Sequence, residues 1–219
     1  MKKIFIPVLA GMALISITTM QSCKKDDTAS PLITLSGANP YTISLNSTYT
    51  DPGATASDDE DGSVTVSVDA SGVNKDLAGS YIVHYTATDK AGNQAMEERT
   101  VIVKNDADYL AGSYVNAYDT CGITLASHFD ATVTASTTVN RKFSISNFGA
   151  NGSSVVINLS VDASDVITAT VPQSLGGPAT LTSILSGTVI THSGPTQFTI
   201  TYGWNDGTQN DVCISTYTR

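Results

Sequence analysis

The clearest strand signal in the chain is the stretch Tyr81-Ile82-Val83-His84-Tyr85-Thr86-Ala87-Thr88. Its large side chains at every second position show the period of two that is expected of a β-strand. Glycine-containing turn signals, such as Asp61-Gly62 and Ala91-Gly92-Asn93, lie on either side and separate it from further short strand candidates. Short strands at such spacing favour a β-sandwich.

The segments around this strand resemble a bacterial Ig-like domain, of the type repeated in surface proteins and in a pesticidal crystal protein. The resemblance lies in residues 49–56 (Tyr-Thr-Asp-Pro-Gly-Ala-Thr-Ala), 58–65, 78–81, 85–89 and 91–93. It implies an Ig-like β-sandwich over residues 32–105 that serves as a spacer or adhesion module, not as an enzyme. Asn46 stands where the family usually carries Gly, and Asn tolerates the left-handed backbone of such a turn.

Residues 109–219 contain about eight further strand candidates and no convincing helical stripe. Gln197–Tyr202 alternates polar and apolar residues most regularly. The chain is therefore predicted to be all-β, with an Ig-like β-sandwich followed by an antiparallel β-barrel or β-sandwich domain. Leu110–Tyr114, Ser146–Gly149 and Asp211–Cys213 resemble a C-terminal β domain of unknown function found in Bacteroidetes surface lipoproteins, which brings no established activity.

The N-terminus is predicted to be an export signal. Residues 1–22 combine Lys2 and Lys3 with a mostly apolar stretch, and the small Ser22 precedes Cys23. This arrangement resembles a bacterial lipobox and implies that Cys23 is lipidated, with residues 23–31 as the lipidated Cys and tether; an ordinary secretory signal is the alternative. Lys24-Lys25-Asp26-Asp27 resembles the surface-export signal of Bacteroidetes lipoproteins and implies the outer face of the cell outer membrane. A solvated charged tether is the other interpretation.

Composition narrows the functional class. The formal charge of −9, together with 41% hydrophobic and 14% charged residues, favours a folded acidic protein. An acidic chain repels phosphate backbones, so we expect no nucleic-acid partner. The sequence carries no nucleophile elbow, metalloprotease helix motif or phosphate-binding glycine loop. We therefore predict a binding module and not an enzyme.

Three cysteines are present in the sequence. If Cys23 is acylated, Cys121 and Cys213 remain as a pair near the two ends of the second unit. An exported protein can oxidise such a pair, so we predict a disulfide between them. Two buried free thiols are the alternative.

An acidic run, Asp58-Asp59-Glu60-Asp61, is a candidate cation site. Carboxylate oxygens of Asp58, Asp59 and Asp61 could bind Ca²⁺, with Asp51 or Asp89 as a further candidate ligand, and no other cofactor is expected. The alternative is a turn in which Asp and Gly only set the backbone geometry.

A second candidate site is Trp204-Asn205-Asp206, beside a hairpin-turn signal. The Trp204 ring could stack on a sugar while Asn205 and Asp206 bond its hydroxyls; the alternative is a Trp that caps the core. We predict an outer-membrane lipoprotein that binds a glycan as an accessory to nutrient uptake. The alternative is a structural or adhesion protein with a surface protein partner.

Overall fold

The computed structural model describes residues 26–122, 127–152, 154–191 and 195–219. The signal residues 1–22 and Cys23 lie outside this range. The described residues form two β domains in sequence, which confirms the predicted all-β class. No helix in this part of the chain is long and apolar enough to cross a membrane.

The first domain is a sandwich of two sheets. One sheet has the order β1-β3-β4 and the other the order β2-β7-β6-β5. All strand pairs are antiparallel except β2 with β7, which run parallel from Tyr41 opposite Val101 to Ser44 opposite Lys104. The strands are β1 (Leu32–Leu35), β2 (Tyr41–Ser44), β3 (Ala54–Asp58), β4 (Gly62–Val64), β5 (Val66–Asp69), β6 (Gly79–Thr88) and β7 (Gln94–Lys104).

Residues 64–68, a continuous β-favouring stretch in the sequence, divide into two strands. β4 ends at Val64 and pairs with β3, whereas β5 begins at Val66 and pairs with β6 in the other sheet. The chain therefore crosses between the two sheets at Thr65. A continuous β-like sequence hides this crossing, because both strands share the same residue preferences.

A buried arginine joins the two sheets of the first domain. Arg99 is fully buried; its Nε donates to the Tyr85 hydroxyl at 2.8 Å, and its guanidinium also donates to the carbonyls of Ser36 (2.6 Å), Gly53 (3.1 Å) and Ala38. The Tyr85 hydroxyl in turn donates to Asp51 at 2.6 Å. This network satisfies the buried guanidinium, as a charge inside a core requires.

The second domain is one curled antiparallel sheet of nine strands, in the order β12-β11-β10-β9-β8-β16-β15-β14-β13. Its ends approach each other, since Val166 beside β12 forms a bridge with Thr188 of β14. The strands are β8 (Gly112–Cys121), β9 (Ser127–Ala135), β10 (Lys142–Ser146), β11 (Val156–Val161), β12 (Ile167–Thr168), β13 (Gln173–Ser174), β14 (Thr180–Thr191), β15 (Gln197–Asn205) and β16 (Asn210–Thr218). Single-turn 3-10 segments occur at Asp108–Leu110 and Phe148–Ala150.

Aromatic residues fill the inside of this sheet. Phe198 stacks on Tyr217 at a centroid distance of 4.5 Å, and Phe148 lies 4.6 Å from Tyr202. All four are buried. Phe148 is thus a core residue, and its ring packs against that of Tyr202.

Hydrogen bonds hold the two domains together at one face, which we call the junction. The buried Asn105 donates to the carbonyls of Ser136 and Val139 in the β9–β10 connection and of Lys142 at the start of β10, at 2.8–3.2 Å. Asn46, which has the predicted left-handed backbone (φ 64°), accepts from the Asn140 backbone N–H at 2.8 Å. The junction is therefore built from amide side chains that cap backbone groups of the neighbouring domain.

The junction divides the molecule into two outer ends. In the first domain, β6 starts at the junction and finishes at Thr88, so the loop beginning at Asp89 lies at the opposite end. In the second domain, β9 finishes at the junction, and its partner β8 runs away from it to Cys121. We call the end with the Asp89 loop the tether end, because the tether residue Asp27 accepts a hydrogen bond from Asn93 there. The end with Cys121 is the disulfide end, and the two ends lie on opposite sides of the junction.

Candidate functional site

A small cavity lies at the disulfide end of the second domain. Its volume is about 110 Å³, and we call it the end cavity. The residues around it come from β8, β15, β16 and the connections beside them: Asp119, Cys121, Gly149, Asn151, Leu175, Ala179, Tyr202, Trp204 and Cys213.

The predicted disulfide forms one wall of this cavity. Cys121 and Cys213 are bonded, with their Cα atoms 4.1 Å apart, and they face each other across β8 and β16. Asp119 lies close to both sulfur atoms. Because these sulfurs are bonded to each other and are not thiolates, this trio is not a metal site.

A buried carboxyl group lies behind the disulfide. Asp119 accepts hydrogen bonds from the hydroxyls of Ser215 and of Tyr202, the latter at 3.1 Å. Burial raises the pKa of Asp119 above its ordinary value, although the two hydroxyls oppose this shift. The raised pKa favours the uncharged form of the carboxyl group.

Trp204 is placed at the cavity by the alternation of β15. Phe198, Ile200 and Tyr202 point into the core, and Trp204 is the next residue on that face, where the core ends. Its ring is partly buried, yet its Nε1–H is buried with no hydrogen-bond acceptor among the described residues. An unpaired buried donor is costly, so a water or ligand oxygen within reach would stabilise it.

Gly149 leaves room for the Tyr202 hydroxyl beside the end cavity. Its φ is 59°, and a Cβ at this position would lie 2.3 Å from the Tyr202 hydroxyl. A side chain would therefore displace Tyr202 from Asp119. The glycine is required both by its left-handed backbone and by this close approach.

The other two residues of the predicted sugar site, Asn205 and Asp206, accept hydrogen bonds within the turn that follows β15. Asn205 accepts from the backbone N–H of Gly207, and Asp206 accepts from those of Thr208 and Gln209 at 2.8 Å. The structure thus brings Trp204 to the cavity together with Asp119 and Tyr202. These two partners could not be found from the sequence, because no local motif connects them with Trp204.

The predicted cation residues separate in space. Asp59 is exposed, and Asp61 accepts from the Lys90 ammonium at 2.9 Å. Asp58 is buried and lies with Asp27 and Asp89, one oxygen of each being within 4.8 Å of the others. The local acidic run therefore contributes one residue to a cluster whose other members are remote in sequence.

Comparison with known families identifies the first domain. Residues 33–103 match the family model described as bacterial surface protein, Ig-like domain. The first domain is a bacterial surface Ig-like domain. The match confirms the resemblance noted in the sequence, and its bounds enclose most of β1 through β7 of the Ig-like domain.

Two solved structures are similar to the chain at low identity. A lipoprotein from Bacteroides thetaiotaomicron is 17% identical, with a TM-score of 0.37, over 85% of this chain and 99% of that one. The CBM51-2, in complex with GlcNAc, and INT domains of Clostridium perfringens ZmpB are 15% identical, with a TM-score of 0.28, over 86% of this chain and 44% of that one. Neither likeness carries an inference at these TM-scores. No curated protein matches the chain significantly.

Proposed function

We propose that the chain is a lipid-anchored bacterial surface protein whose second domain binds the end of a neutral glycan in the end cavity. The observation that carries this proposal is Trp204, an aromatic side chain at the cavity whose N–H has no acceptor among the described residues. The Ig-like domain supports the surface assignment, because its family is that of bacterial surface proteins.

The chemistry of the cavity favours an uncharged polar ligand. No lysine or arginine is among the lining residues that the structure describes, and burial raises the pKa of the one carboxyl group among them, Asp119. A sugar offers a C–H face to an aromatic ring and hydroxyl oxygens to a donor such as the Trp204 N–H. An anionic ligand would find no countercharge among these residues.

The size of the cavity limits what enters it. Sites for whole small ligands are about 300–1,000 Å³, whereas this cavity is about 110 Å³. It therefore accommodates one substituent or one edge of a terminal sugar, with the rest of the glycan outside. Three larger depressions, of about 230, 280 and 360 Å³, have no unpartnered buried polar side chain among their described lining residues.

The same lining argues for binding instead of catalysis. Glycosidases commonly use two carboxyl groups about 5–9.5 Å apart. The end cavity is lined by one, Asp119, whose hydrogen bonds to Tyr202 and Ser215 occupy it. We propose a binding module on this basis.

Glycan binding is tested by an array screen of the full chain, followed by titration of the best hit. We expect Trp204→Ala to abolish binding and Trp204→Phe, which keeps a ring but lacks the N–H, to weaken it by about tenfold. Tyr118→Ala is the matched control, since Tyr118 is an exposed aromatic of the same domain. Binding that survives Trp204→Ala would refute the site. A blank array would favour the alternative, an adhesion module with a protein partner.

Anchoring is tested at the predicted lipidation residue. Cys23→Ser is expected to move the protein from the membrane fraction to the soluble fraction, because the acylated sulfur is lost. Ser22→Gly keeps a small residue before Cys23 and serves as the matched control. Fractionation followed by immunoblotting measures the change, and protease treatment of intact cells reports surface exposure. Retention of Cys23→Ser in the membrane fraction would contradict the lipid anchor.

A further inference from the structure

Three carboxylates converge at the tether end of the Ig-like domain. Asp27 comes from the tether, Asp58 from the end of β3, and Asp89 from the loop after β6. One oxygen of each lies within 4.8 Å of the others. Asp58 and Asp89 are more than nine-tenths buried, with exposed fractions of 8% and 7%.

Asp58 has one oxygen that the protein does not use. Its Oδ1 accepts hydrogen bonds from the backbone N–H groups of Glu60, at 2.9 Å, and Asp61, at 3.0 Å. Its Oδ2 is buried and has no hydrogen-bond partner among the described residues. A buried carboxylate oxygen without a donor is unfavourable unless a cation or an ordered water binds it.

Asp27 and Asp89 are positioned by local hydrogen bonds. Asp89 accepts from the backbone N–H groups of Gly92 (2.7 Å) and Asn93 (2.8 Å), and from the Asn93 side chain at 2.8 Å. That same Asn93 amide donates to the backbone carbonyl of Asp27 at 3.3 Å, and Asp27 also accepts from the Ala29 N–H. Asn93 therefore holds the tether residue beside the Asp89 loop.

Among the described residues, the cluster has no cationic side chain of its own. The nearby Lys90 ammonium bonds to Asp61 at 2.9 Å, and no ion pair joins Asp27, Asp58 or Asp89 to a described basic group. Three carboxylates this close repel one another, and two of them are largely shielded from water. A bound cation would remove this repulsion and satisfy the unused oxygen of Asp58.

We propose that Asp27, Asp58 and Asp89 bind one Ca²⁺ ion and thereby fix the tether to the Ig-like domain. Ca²⁺ takes oxygens at about 2.3–2.6 Å, so oxygens on opposite sides of the ion are up to about 4.6–5.2 Å apart. The three carboxylate oxygens lie within 4.8 Å of one another, so one ion can reach all of them. With three carboxylates and water as the other ligands, we expect a dissociation constant of about 10⁻⁴–10⁻³ M, as in extracellular modules.

The test is calorimetric titration of CaCl₂ into the full chain, purified in detergent and stripped with EDTA. Asp58→Asn keeps an Oδ1 acceptor for the turn and replaces only the unused oxygen, and we expect it to weaken binding at least about tenfold. Asp59→Asn removes the same charge from the exposed neighbouring residue and should change the affinity by less than about twofold. Thermal unfolding of the wild-type Ig-like domain should shift upward by about 6–20 °C in 10 mM Ca²⁺.

A second variant guards against misfolding of Asp58→Asn. Asp27 lies in the tether before β1, so Asp27→Asn leaves both sheets intact and should also lose about tenfold in affinity. No heat and no thermal shift at 10 mM Ca²⁺ would overturn the proposal. Equal losses in Asp58→Asn and Asp59→Asn would also overturn it, and equally tight Mg²⁺ binding would overturn the choice of calcium. No glycan is present, so the outcome is independent of the end cavity.

Discussion

Replacing Cys121 and Cys213 together by alanine is expected to lower the free energy of unfolding of the second domain by about 4 kcal/mol. The two residues are 92 positions apart, and their bond joins β8 to β16, the first and last strands of the domain. Without the bond, the unfolded chain has more conformational entropy, because its ends are no longer held in a closed loop. The unfolded state is therefore more favourable.

The single tryptophan makes this measurement specific. Trp204 is the only Trp in the chain and lies beside the disulfide, so its fluorescence during urea unfolding reports the second domain. The reduced wild type should unfold at the same urea concentration as the double variant, which separates loss of the bond from effects of the alanines. A loss below about 1 kcal/mol would show that the ladder between β8 and β16 already provides the constraint.

Arg99→Met is expected to destabilise the Ig-like domain by about 3–5 kcal/mol. Methionine fills much of the space of the arginine chain but donates no hydrogen bond. The carbonyls of Ser36, Gly53 and Ala38 would lose a buried donor, and Asp51 would lose the positive charge behind Tyr85. Although burial opposes it, hydrogen bonds from Tyr49 and Tyr85 and the nearby Arg99 hold the pKa of Asp51 below its usual value.

Hydrogen exchange by mass spectrometry measures this loss within the Ig-like domain. Peptides from β6 and β7 should lose their protection in Arg99→Met, whereas those of the second domain should not change. Glu98→Gln is the control, because Glu98 is the exposed neighbour on the same strand. Unchanged protection in Arg99→Met would mean that the core satisfies these carbonyls in another way.

The strands that sequence reasoning finds are those with large alternating side chains. β6 and β15 belong to this group, because each buries one face against its own core. β3 reads Ala-Thr-Ala-Ser-Asp and β13 is only Gln173–Ser174. Both are strands because a neighbour pairs with them, and this information is not local.

The candidate functional residues also fall into those that have a local signal in the sequence and those that have none. The disulfide could be predicted because two cysteines remained once Cys23 was expected to be lipidated, and Trp204 could be singled out as a candidate because it adjoins a turn. Arg99 and Asp119 gave no local signal, since their burial depends on hydrogen-bond partners from distant strands. Asp58 attracted attention through its acidic neighbours, although the carboxylates that it meets are Asp27 and Asp89.

If the chain is anchored as proposed, the parallel pairing of β2 with β7 has a mechanical consequence. In an anchored protein, flow or a bound ligand pulls the second domain away from the membrane. The tension enters the Ig-like domain through β1 and β2 and leaves it through the end of β7 at Lys104. Because β2 and β7 run in the same direction, the pull slides them past each other and loads their hydrogen bonds together instead of one at a time. In the proposed anchored state, we therefore expect the Ig-like domain to resist unfolding under tension.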